Sequence, residues 1–170
     1  MMQIFDWLFS KQDIYDIYNR CKSSKYQVAE VDRPGLPPTG STIKFNLEDP
    51  MIKCISNKVK HIYSKYGYGI YRAYSNKFQP LENPYWHHDG QNGLTLIYYA
   101  NTEMGEFNDR ENKFNQLDIG GETQFYIKEK DEIIGVQPYT GRLIIFDASI
   151  FHRATPFRNF DRYNIVIKYE

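Results

Sequence analysis

The stretch Leu143-Ile144-Ile145-Phe146-Asp147-Ala148-Ser149-Ile150-Phe151-His152 shows the pattern on which the fold of this chain rests. A run of apolar residues is followed by a short turn of Asp147, Ala148 and Ser149, and a second run then leads to His152. β-Branched and aromatic residues bounded by turn residues are typical of short strands. The stretch therefore predicts two strands joined by a turn, with a histidine in the second.

The same pattern repeats from Tyr68 onward, where apolar runs alternate with Gly, Pro and Asn. It predicts strands at residues 69–75, 84–88, 94–100, 123–127, 132–137, 142–146, 150–154 and 162–169. Short strands preceded by helices indicate a mainly β protein with flanking helices (α+β), either a β-sandwich or a barrel-like jelly roll. The polar segment 101–119 is expected to form a mobile loop over the site, and an insertion without a role is an equally good interpretation.

Two helices are expected before the strands. Ser10, with Asp13 three residues later, has the pattern of a capping box at the start of the first helix. Asp49 at the N-cap, Pro50 in the first turn and Gly67 after the end mark the second helix. We expect these helices to pack on one face of a sheet.

Length, charge and cysteine content limit the possible functions. The 170 residues predict one domain, with residues 1–67 as a helical N-terminal support and residues 68–170 as the jelly-roll core. Basic and acidic side chains number 21 each, so no net charge attracts the protein to nucleic acid or to a membrane. Two separated cysteines fit a reducing compartment. With no long apolar run, a cytoplasmic protein is expected.

Candidate metal ligands occur in Tyr85-Trp86-His87-His88-Asp89-Gly90 and at His152. Two imidazoles and one carboxylate, with the first two ligands two residues apart, match the facial triad of non-heme Fe(II) oxygenases. In a strand, residues i and i+2 point to the same side, so His87 and Asp89 would bind one metal while His88 faces away. The alternative is a surface pair and an ordinary core histidine, because so short a pattern is common by chance.

Arg162 opens the last predicted strand, ten residues after His152. A guanidinium group suits bidentate binding of a carboxylate, such as the far end of a dicarboxylate keto acid whose other end is held by a metal. The alternative is a surface arginine that is paired with Asp161.

The order and spacing of these motifs resemble the Fe(II)/2-oxoglutarate dioxygenases, specifically their prolyl-4-hydroxylase-like branch. The resemblance covers residues 68–170. The stretches that carry it are His87-x-Asp89, Ile97-Tyr98-Tyr99-Ala100-Asn101, Gly120-Gly121-Glu122-Thr123, Pro138-Tyr139-Thr140-Gly141-Arg142-Leu143-Ile144-Ile145-Phe146, His152 and Arg162-Tyr163.

The resemblance implies a double-stranded β-helix core and an Fe(II) centre. His87, Asp89 and His152 would bind the iron and form the catalytic centre. Arg162 would bind the distal carboxylate of 2-oxoglutarate. O₂ would be the second cosubstrate, with ascorbate as an additional reductant.

Further cosubstrate contacts are implied at Tyr99, Tyr74 and Thr95. Tyr99 would hydrogen-bond the same carboxylate as the arginine, and Thr95 would line its pocket. Tyr74 stands where the family often places another tyrosine that contacts the cosubstrate. The segment between that strand and His87 departs from the family pattern in being longer.

The activity that the resemblance implies is hydroxylation of a C–H bond with release of succinate and CO₂. A prolyl or other residue of a protein or peptide is the expected substrate, and a free amino acid or small molecule is the close alternative. A nucleic-acid demethylase of the AlkB type is a second alternative. The last strand partly matches the Arg-x-Asn-x-Thr-x-Arg run of that group, but Val166 and Lys168 depart from it. The non-enzymatic alternative is a jelly-roll binding module with a vestigial metal site.

Overall fold

Ten β-strands and three α-helices form the part of the chain that is described in the computed structural model, namely residues 1–29, 31, 34–103 and 119–170. The helices are α1 (Lys11–Ser23), α2 (Pro50–Asn57) and α3 (Lys60–Tyr63), and a 3-10 helix follows at Ser64–Tyr66. The strands are β1 (Met2–Phe5), β2 (Gln27–Val28), β3 (Ser41–Lys44), β4 (Ile70–Phe78), β5 (Leu94–Tyr99), β6 (Thr123–Ile127), β7 (Glu132–Val136), β8 (Leu143–Asp147), β9 (Phe151–Ala154) and β10 (Arg162–Tyr169).

The strands form two antiparallel sheets. The larger sheet has seven strands in the order β1-β8-β5-β10-β4-β3-β2, and the smaller sheet has three in the order β7-β6-β9. Neighbours in a sheet are often distant in sequence, and β10 lies between β4 and β5. The predicted mainly β fold, a jelly-roll core with flanking helices, is confirmed.

Alternation along β10 separates two hydrophobic cores. Tyr163, Ile165 and Ile167 belong to the cluster in which the helices pack against the large sheet. Val166 points to the other face and belongs to a cluster with Phe125 between the two sheets. Successive side chains of a strand point to opposite faces, so the even-numbered residues of β10 face the space between the sheets. The candidate site lies in that space.

The first helix begins as the sequence predicts. The Ser10 side chain accepts a hydrogen bond from the Asp13 backbone N–H, and the Asp13 carboxylate accepts one from the Ser10 backbone N–H, both at 3.1 Å. These reciprocal bonds satisfy two donors that a helix start leaves without partners. Ile17 and Cys21, one turn apart, are buried against the large sheet. Burial of such an apolar stripe stabilises the helix more than its own propensity does.

The prediction of one continuous second helix is wrong. Asp49 caps α2 as expected, but the helical segment is broken into α2, α3 and the 3-10 turn. The break lies at Val59, whose φ of −121° and ψ of 18° are not helical. Val59 is fully buried, so the packing of its side chain overrides the local helical pattern. Gly67 ends the segment at φ +72°. No helix within the described residues is long and apolar enough to cross a membrane.

Two further differences concern strands. Residues 1–67, predicted as a helical support, also contribute β1, β2 and β3 to the large sheet, and these short, largely half-exposed strands have little of the alternation on which prediction depends. The predicted strand at 84–88 is absent, and this segment has only one bridge, between His87 and His152. Pro84 lacks a backbone N–H, which disfavours a ladder there. The single-domain assignment over 1–170 stays a prediction, and residues 104–118 of the predicted loop lie outside the described part.

Candidate metal and cosubstrate site

His87, Asp89 and His152 meet in the space between the two sheets. Their candidate ligand atoms all lie within 4.8 Å of one another. Nε2 of His87 is 3.8 Å from Asp89 Oδ1, and Nε2 of His152 is 3.8 Å from Asp89 Oδ2. The structure thus brings together the three side chains that the sequence predicts as ligands. His88 is exposed, its ring centroid is 5.8 Å from that of Phe151, and it does not belong to the group of candidate ligands.

Backbone hydrogen bonds hold the first two ligands without a regular strand. The N–H of His87 donates to the His152 carbonyl at 3.0 Å, and the N–H of His152 donates to the His87 carbonyl at 2.8 Å. Two residues later, the Asp89 N–H donates to the Ala148 carbonyl at 2.9 Å. These bonds anchor the 87–89 segment to β9 and to the turn before it. The i, i+2 convergence that was expected from a strand therefore results from one bridge and one turn contact.

Both histidines present the same ring nitrogen to the centre. His87 Nδ1 lies 3.0 Å from the Tyr85 carbonyl, and His152 Nδ1 lies 3.0 Å from the Ile150 carbonyl. A carbonyl only accepts, so each Nδ1 carries the proton and donates it. Each Nε2 is left with a lone pair that faces Asp89. Such outer hydrogen bonds fix the orientation of histidines that bind metals.

Electrostatics keep His152 and Asp89 in the protonation states that a metal requires. Burial lowers the pKa of His152 to about 4, so the imidazole is neutral at neutral pH. Burial alone would raise the pKa of Asp89, but the charge of His152 in its protonated form at low pH, the charge of Lys168 and the hydrogen bond from Thr95 lower it to about 2. A neutral imidazole and an ionised carboxylate are the forms that bind a divalent cation.

Two side chains hold the oxygens of Asp89. Thr95 Oγ1 donates to Asp89 Oδ2 at 2.6 Å, and Lys168 Nζ donates to Asp89 Oδ1 at 2.9 Å. Thr95 was expected to line the pocket of the distal carboxylate; it lines the cavity described below at the end that holds Asp89, and its contact with a cosubstrate stays a prediction. Sequence reasoning gave Lys168 no role. The available signal was its even position on β10, which places it on the same face as Arg162.

A cavity of about 190 Å³ extends from the triad between the sheets. Alternate residues of three neighbouring strands form much of its wall, because their side chains share one face of the large sheet. From β4 these are Arg72, Tyr74, Asn76 and Phe78, from β5 Thr95 and Ile97, and from β10 Arg162, Asn164, Val166 and Lys168. The wall is polar or charged near Asp89 and at Arg162, and between them it combines the apolar Ile97 and Val166 with the amides of Asn76 and Asn164.

Arg162 is 1% exposed and lines the cavity. Its Nε donates to the Gly121 carbonyl at 3.1 Å, and its Nη2 donates to Thr123 Oγ1 at 3.0 Å. The alternative of a surface pair with Asp161 does not hold, because Asp161 pairs with Lys77 at 2.9 Å. The arginine is therefore held by neutral acceptors and kept inside the protein.

One nitrogen of this guanidinium has no partner. Arg162 Nη1 is buried and makes no hydrogen bond to any described residue. Nor does a carboxylate in the described part of the chain form a salt bridge with Arg162. A buried charge without a counterion is costly unless a ligand supplies one. A carboxylate bound in the cavity would provide both the missing acceptor and the missing charge.

Thr123 connects Arg162 to Tyr99. The fully buried Tyr99 hydroxyl donates to Thr123 Oγ1 at 2.6 Å, and Thr123, unlike Tyr99, lines the cavity. Because Thr123 Oγ1 accepts from both Tyr99 and Arg162, both of its lone pairs are in use and its own O–H is left to donate. Thr123 thus lies at the cavity wall next to Arg162, where the carboxylate is expected to bind. Tyr99 lies behind Thr123. The resemblance of the Gly-Gly-Glu-Thr stretch implied that Thr123 either supports the residues that bind the cosubstrate or is structural.

Gly121 makes this arrangement possible. Its φ is +84°, and a Cβ at this position would lie 2.0 Å from the Phe157 ring. Only glycine allows both this backbone conformation and the close approach of the ring. The Gly121 carbonyl is then free to accept from Arg162.

Tyr74 also lines the cavity, at the end that holds Asp89. Its ring centroid is 5.8 Å from Lys168 Nζ and 4.8 Å from Arg72 Cζ. The ring therefore faces cations near the triad. Cosubstrate contact by Tyr74 stays a prediction.

No family model and no curated protein matches the chain. Solved structures do match, and each of the following covers 99% of this chain. A prolyl hydroxylase from Trichoplax adhaerens, in complex with a peptide fragment of the hypoxia inducible factor oxygen degradation domain, has a TM-score of 0.75 at 16% identity over 82% of its own length. A prolyl-4-hydroxylase from Pseudomonas putida has a TM-score of 0.75 at 12% identity over 91% of its length. A viral collagen prolyl hydroxylase from Paramecium Bursaria Chlorella virus-1, in a 2OG complex, has a TM-score of 0.68 at 15% identity over 94% of its length.

The chain has the prolyl hydroxylase fold. The residues present fit the metal and cosubstrate of 2OG-Fe(II) oxygenases, a group that also occurs among the matching structures. Two neutral imidazoles and one carboxylate are the donor set of a non-heme Fe(II) centre. The unpartnered Nη1 of Arg162 suits the distal carboxylate of 2-oxoglutarate.

Proposed function

We propose that this protein is an Fe(II)- and 2-oxoglutarate-dependent dioxygenase that hydroxylates a C–H bond of a prolyl or other residue in a protein or peptide. The observation that carries the proposal is one cavity that holds both a His-Asp-His group and a buried arginine without a counterion. Either feature alone has a structural explanation. Together they suit 2-oxoglutarate, because its keto acid end can chelate a metal held by the His-Asp-His group while the carboxylate at its other end pairs with Arg162.

The residues of the chain have separate tasks in this reaction. His87, Asp89 and His152 would hold Fe(II) on one face, which leaves positions for the cosubstrate and O₂. Arg162 would orient 2-oxoglutarate through its distal carboxylate, with the Thr123 hydroxyl as a second donor. The bound metal and cosubstrates supply the oxidation: one oxygen atom of O₂ enters succinate, the other enters the hydroxylated product, and CO₂ is released.

Aromatic and aliphatic side chains would shield part of the candidate metal site from water. Phe125 and Phe146 pack against the His152 ring, with ring centroids 5.9 Å and 4.8 Å away. Ile97 and Val166 form the apolar wall between the triad and Arg162. A shielded cavity that places the substrate C–H bond beside the metal lowers the entropic cost of the reaction.

A peptide substrate is supported by the similar structures. One of them is a complex with a peptide fragment, and another is named a collagen prolyl hydroxylase. Ala29 and Thr39 also line the cavity, and the pairing of β2 and β3 with β4 places them near Phe78, towards Arg162. The net charge of zero does not favour a polyanion such as the substrate of an AlkB-type demethylase.

Turnover measurements test the proposal. The protein is incubated with Fe(II), 2-oxoglutarate, O₂ and ascorbate, which we propose as the reductant of a cytoplasmic enzyme, together with proline-containing peptides. Stoichiometric succinate and a peptide heavier by one oxygen atom are expected, and both should disappear in the His152→Ala variant. Free proline and a methylated single-stranded oligonucleotide serve as the comparison substrates. Oxidation of either one with no peptide product would contradict the proposed substrate class.

A further inference from the structure

Lys168 is a buried cation that the proposed reaction does not use. The residue is 8% exposed, and its Nζ lies 2.9 Å from Asp89 Oδ1. Lysine is almost never buried unless its charge is paired, because the desolvation of an ammonium group is costly. Here the Asp89 carboxylate pairs with the ammonium group and offsets its desolvation. Asp89 is thus both a candidate metal ligand and the counterion of Lys168.

The surroundings of Lys168 hold its ammonium group at the carboxylate. On the neighbouring strands its register partners are Arg72 of β4 and Thr95 of β5. The Tyr74 ring lies 5.8 Å from Nζ and provides an aromatic face for the cation. Because Arg72 is also a cation, its charge disfavours a movement of the ammonium group towards that side chain. It is directed instead towards Asp89.

The two oxygens of Asp89 are therefore not equivalent. Oδ1 accepts from the Lys168 ammonium group, and Oδ2 accepts from the neutral Thr95 hydroxyl. Each oxygen lies 3.8 Å from a histidine Nε2, Oδ1 from that of His87 and Oδ2 from that of His152, so the difference comes from the Lys168 and Thr95 bonds. A divalent cation bound by the histidines would have to compete with the Lys168 ammonium group for Oδ1. At Oδ2 it would compete only with the neutral hydrogen bond from Thr95.

We infer that Lys168 is a positioning residue that acts as a resident counterion of the metal site. In the absence of metal it neutralises Asp89 and holds the carboxylate in place. In the presence of metal it occupies Oδ1 and confines the metal to Oδ2, which keeps the remaining coordination positions open. This inference rests on the proposed metal site and adds a role for a side chain outside the His-Asp-His group.

A counterion and a merely structural residue would have opposite effects on metal binding. A metal ion and the ammonium group would both bind Asp89 and repel each other at short range, where salt screens little. By linkage, a cation that stabilises the metal-free site more than the metal-bound site weakens metal binding. Removal of the Lys168 charge should therefore tighten metal binding. If Lys168 only held the fold of the site, its removal would weaken metal binding.

Titration with Mn(II), a redox-stable probe for the Fe(II) site, distinguishes these roles. Free Mn(II) is measured by its EPR signal in the wild type and in Lys168→Met, Lys168→Gln and Lys168→Arg. We expect at least tenfold tighter binding in the Met and Gln variants and near wild-type binding in the Arg variant. The metal-free Met variant should also melt at a lower temperature than the wild type, with the gap closing at saturating Mn(II). If the Met variant does not fold without metal, the Gln variant, which retains a hydrogen-bond donor, provides the measurement.

Unchanged or weaker Mn(II) binding in the Gln variant, with wild-type binding intact, would overturn the inference and leave the proposed metal site standing. Absence of Mn(II) binding in the wild type would overturn both. Asp89→Asn is the matched control and should abolish binding in every background.

Discussion

His87 and His152 are joined through both backbone and side chain. Each donates its N–H to the carbonyl of the other, and their ring centroids are 4.5 Å apart. This one bridge connects an irregular segment to β9 of the small sheet. The relative position of two candidate ligands therefore depends on the backbone, and each ring is further fixed by its own Nδ1 hydrogen bond. A site built in this way is expected to keep its geometry before any metal binds.

The low pKa of His152 predicts how the stability of the metal-free protein depends on pH. Its pKa falls from the ordinary 6.5 to about 4 in the folded state, so the unfolded chain binds more protons between these values. The free energy of unfolding should therefore rise as the pH increases from about 4 to 6.5. Above pH 6.5, the full stabilising contribution of the neutral His152 side chain should be present. The contribution is at most about 3 kcal/mol, since each pKa unit corresponds to roughly 1.4 kcal/mol.

Melting temperatures of wild type and His152→Gln across this range provide the measurement. The difference between the two profiles removes the contribution of the surface carboxylates, which titrate in both proteins. A parallel pair of profiles would contradict the prediction.

Arg162 should strengthen binding of 2-oxoglutarate although its unpaired buried charge destabilises the cosubstrate-free protein. Arg162→Met removes a buried charge that has no counterion in the described part of the chain. We expect 2-oxoglutarate affinity to fall about 100-fold or more, because charge-assisted hydrogen bonds contribute about 1.5–3 kcal/mol each. Mn(II) affinity should be unchanged, since Arg162 does not contact the triad.

Calorimetric titration of 2-oxoglutarate into the Mn(II)-loaded protein measures this effect. The free energy of unfolding without cosubstrate serves as a second readout. We expect it to change little in the Met variant, because removal of the unpaired buried charge offsets the loss of two hydrogen bonds. Wild-type cosubstrate affinity in the Met variant would show that Arg162 is structural.

Thr123 should couple Tyr99 to Arg162. Thr123→Val preserves the shape of the side chain but removes the acceptor that the Tyr99 hydroxyl and Arg162 Nη2 share. We expect a loss of about 1–3 kcal/mol in the free energy of unfolding for each buried group left unsatisfied. Tyr99→Phe in the Val background should recover part of this loss. Chemical denaturation of both single variants and the double variant gives the coupling energy, and strictly additive effects would contradict the network.

Part of the fold could be predicted from sequence because its signals are local. The capping box at Ser10, the apolar run of β8 and the alternation of β10 each depend on neighbouring residues. The break at Val59 could not be predicted, since it depends on how a side chain packs against distant elements. The short strands β1, β2 and β3 are stabilised by their partners in the sheet and carry little signal of their own.

The candidate site shows the same division. The ligand types and their order identified His87, Asp89 and His152, although the strand assumed to hold the first two does not exist. Lys168 could not be assigned, because its role depends on the meeting of β10 with a segment 79 residues away in sequence. Its position on the same face as Arg162 was visible in the sequence, but nothing local distinguishes an inward lysine from an outward one.

The central claim is that the triad and Arg162 together hold one ferrous ion and one 2-oxoglutarate molecule. The most direct test is the visible absorption spectrum of the protein under anaerobic conditions with Fe(II) and 2-oxoglutarate added. We predict a charge-transfer band in the wild type, no band in His152→Ala, and a band in Arg162→Met only at much higher 2-oxoglutarate concentration. A folded wild-type protein that gives no band, or a band that His152→Ala retains, would contradict the claim.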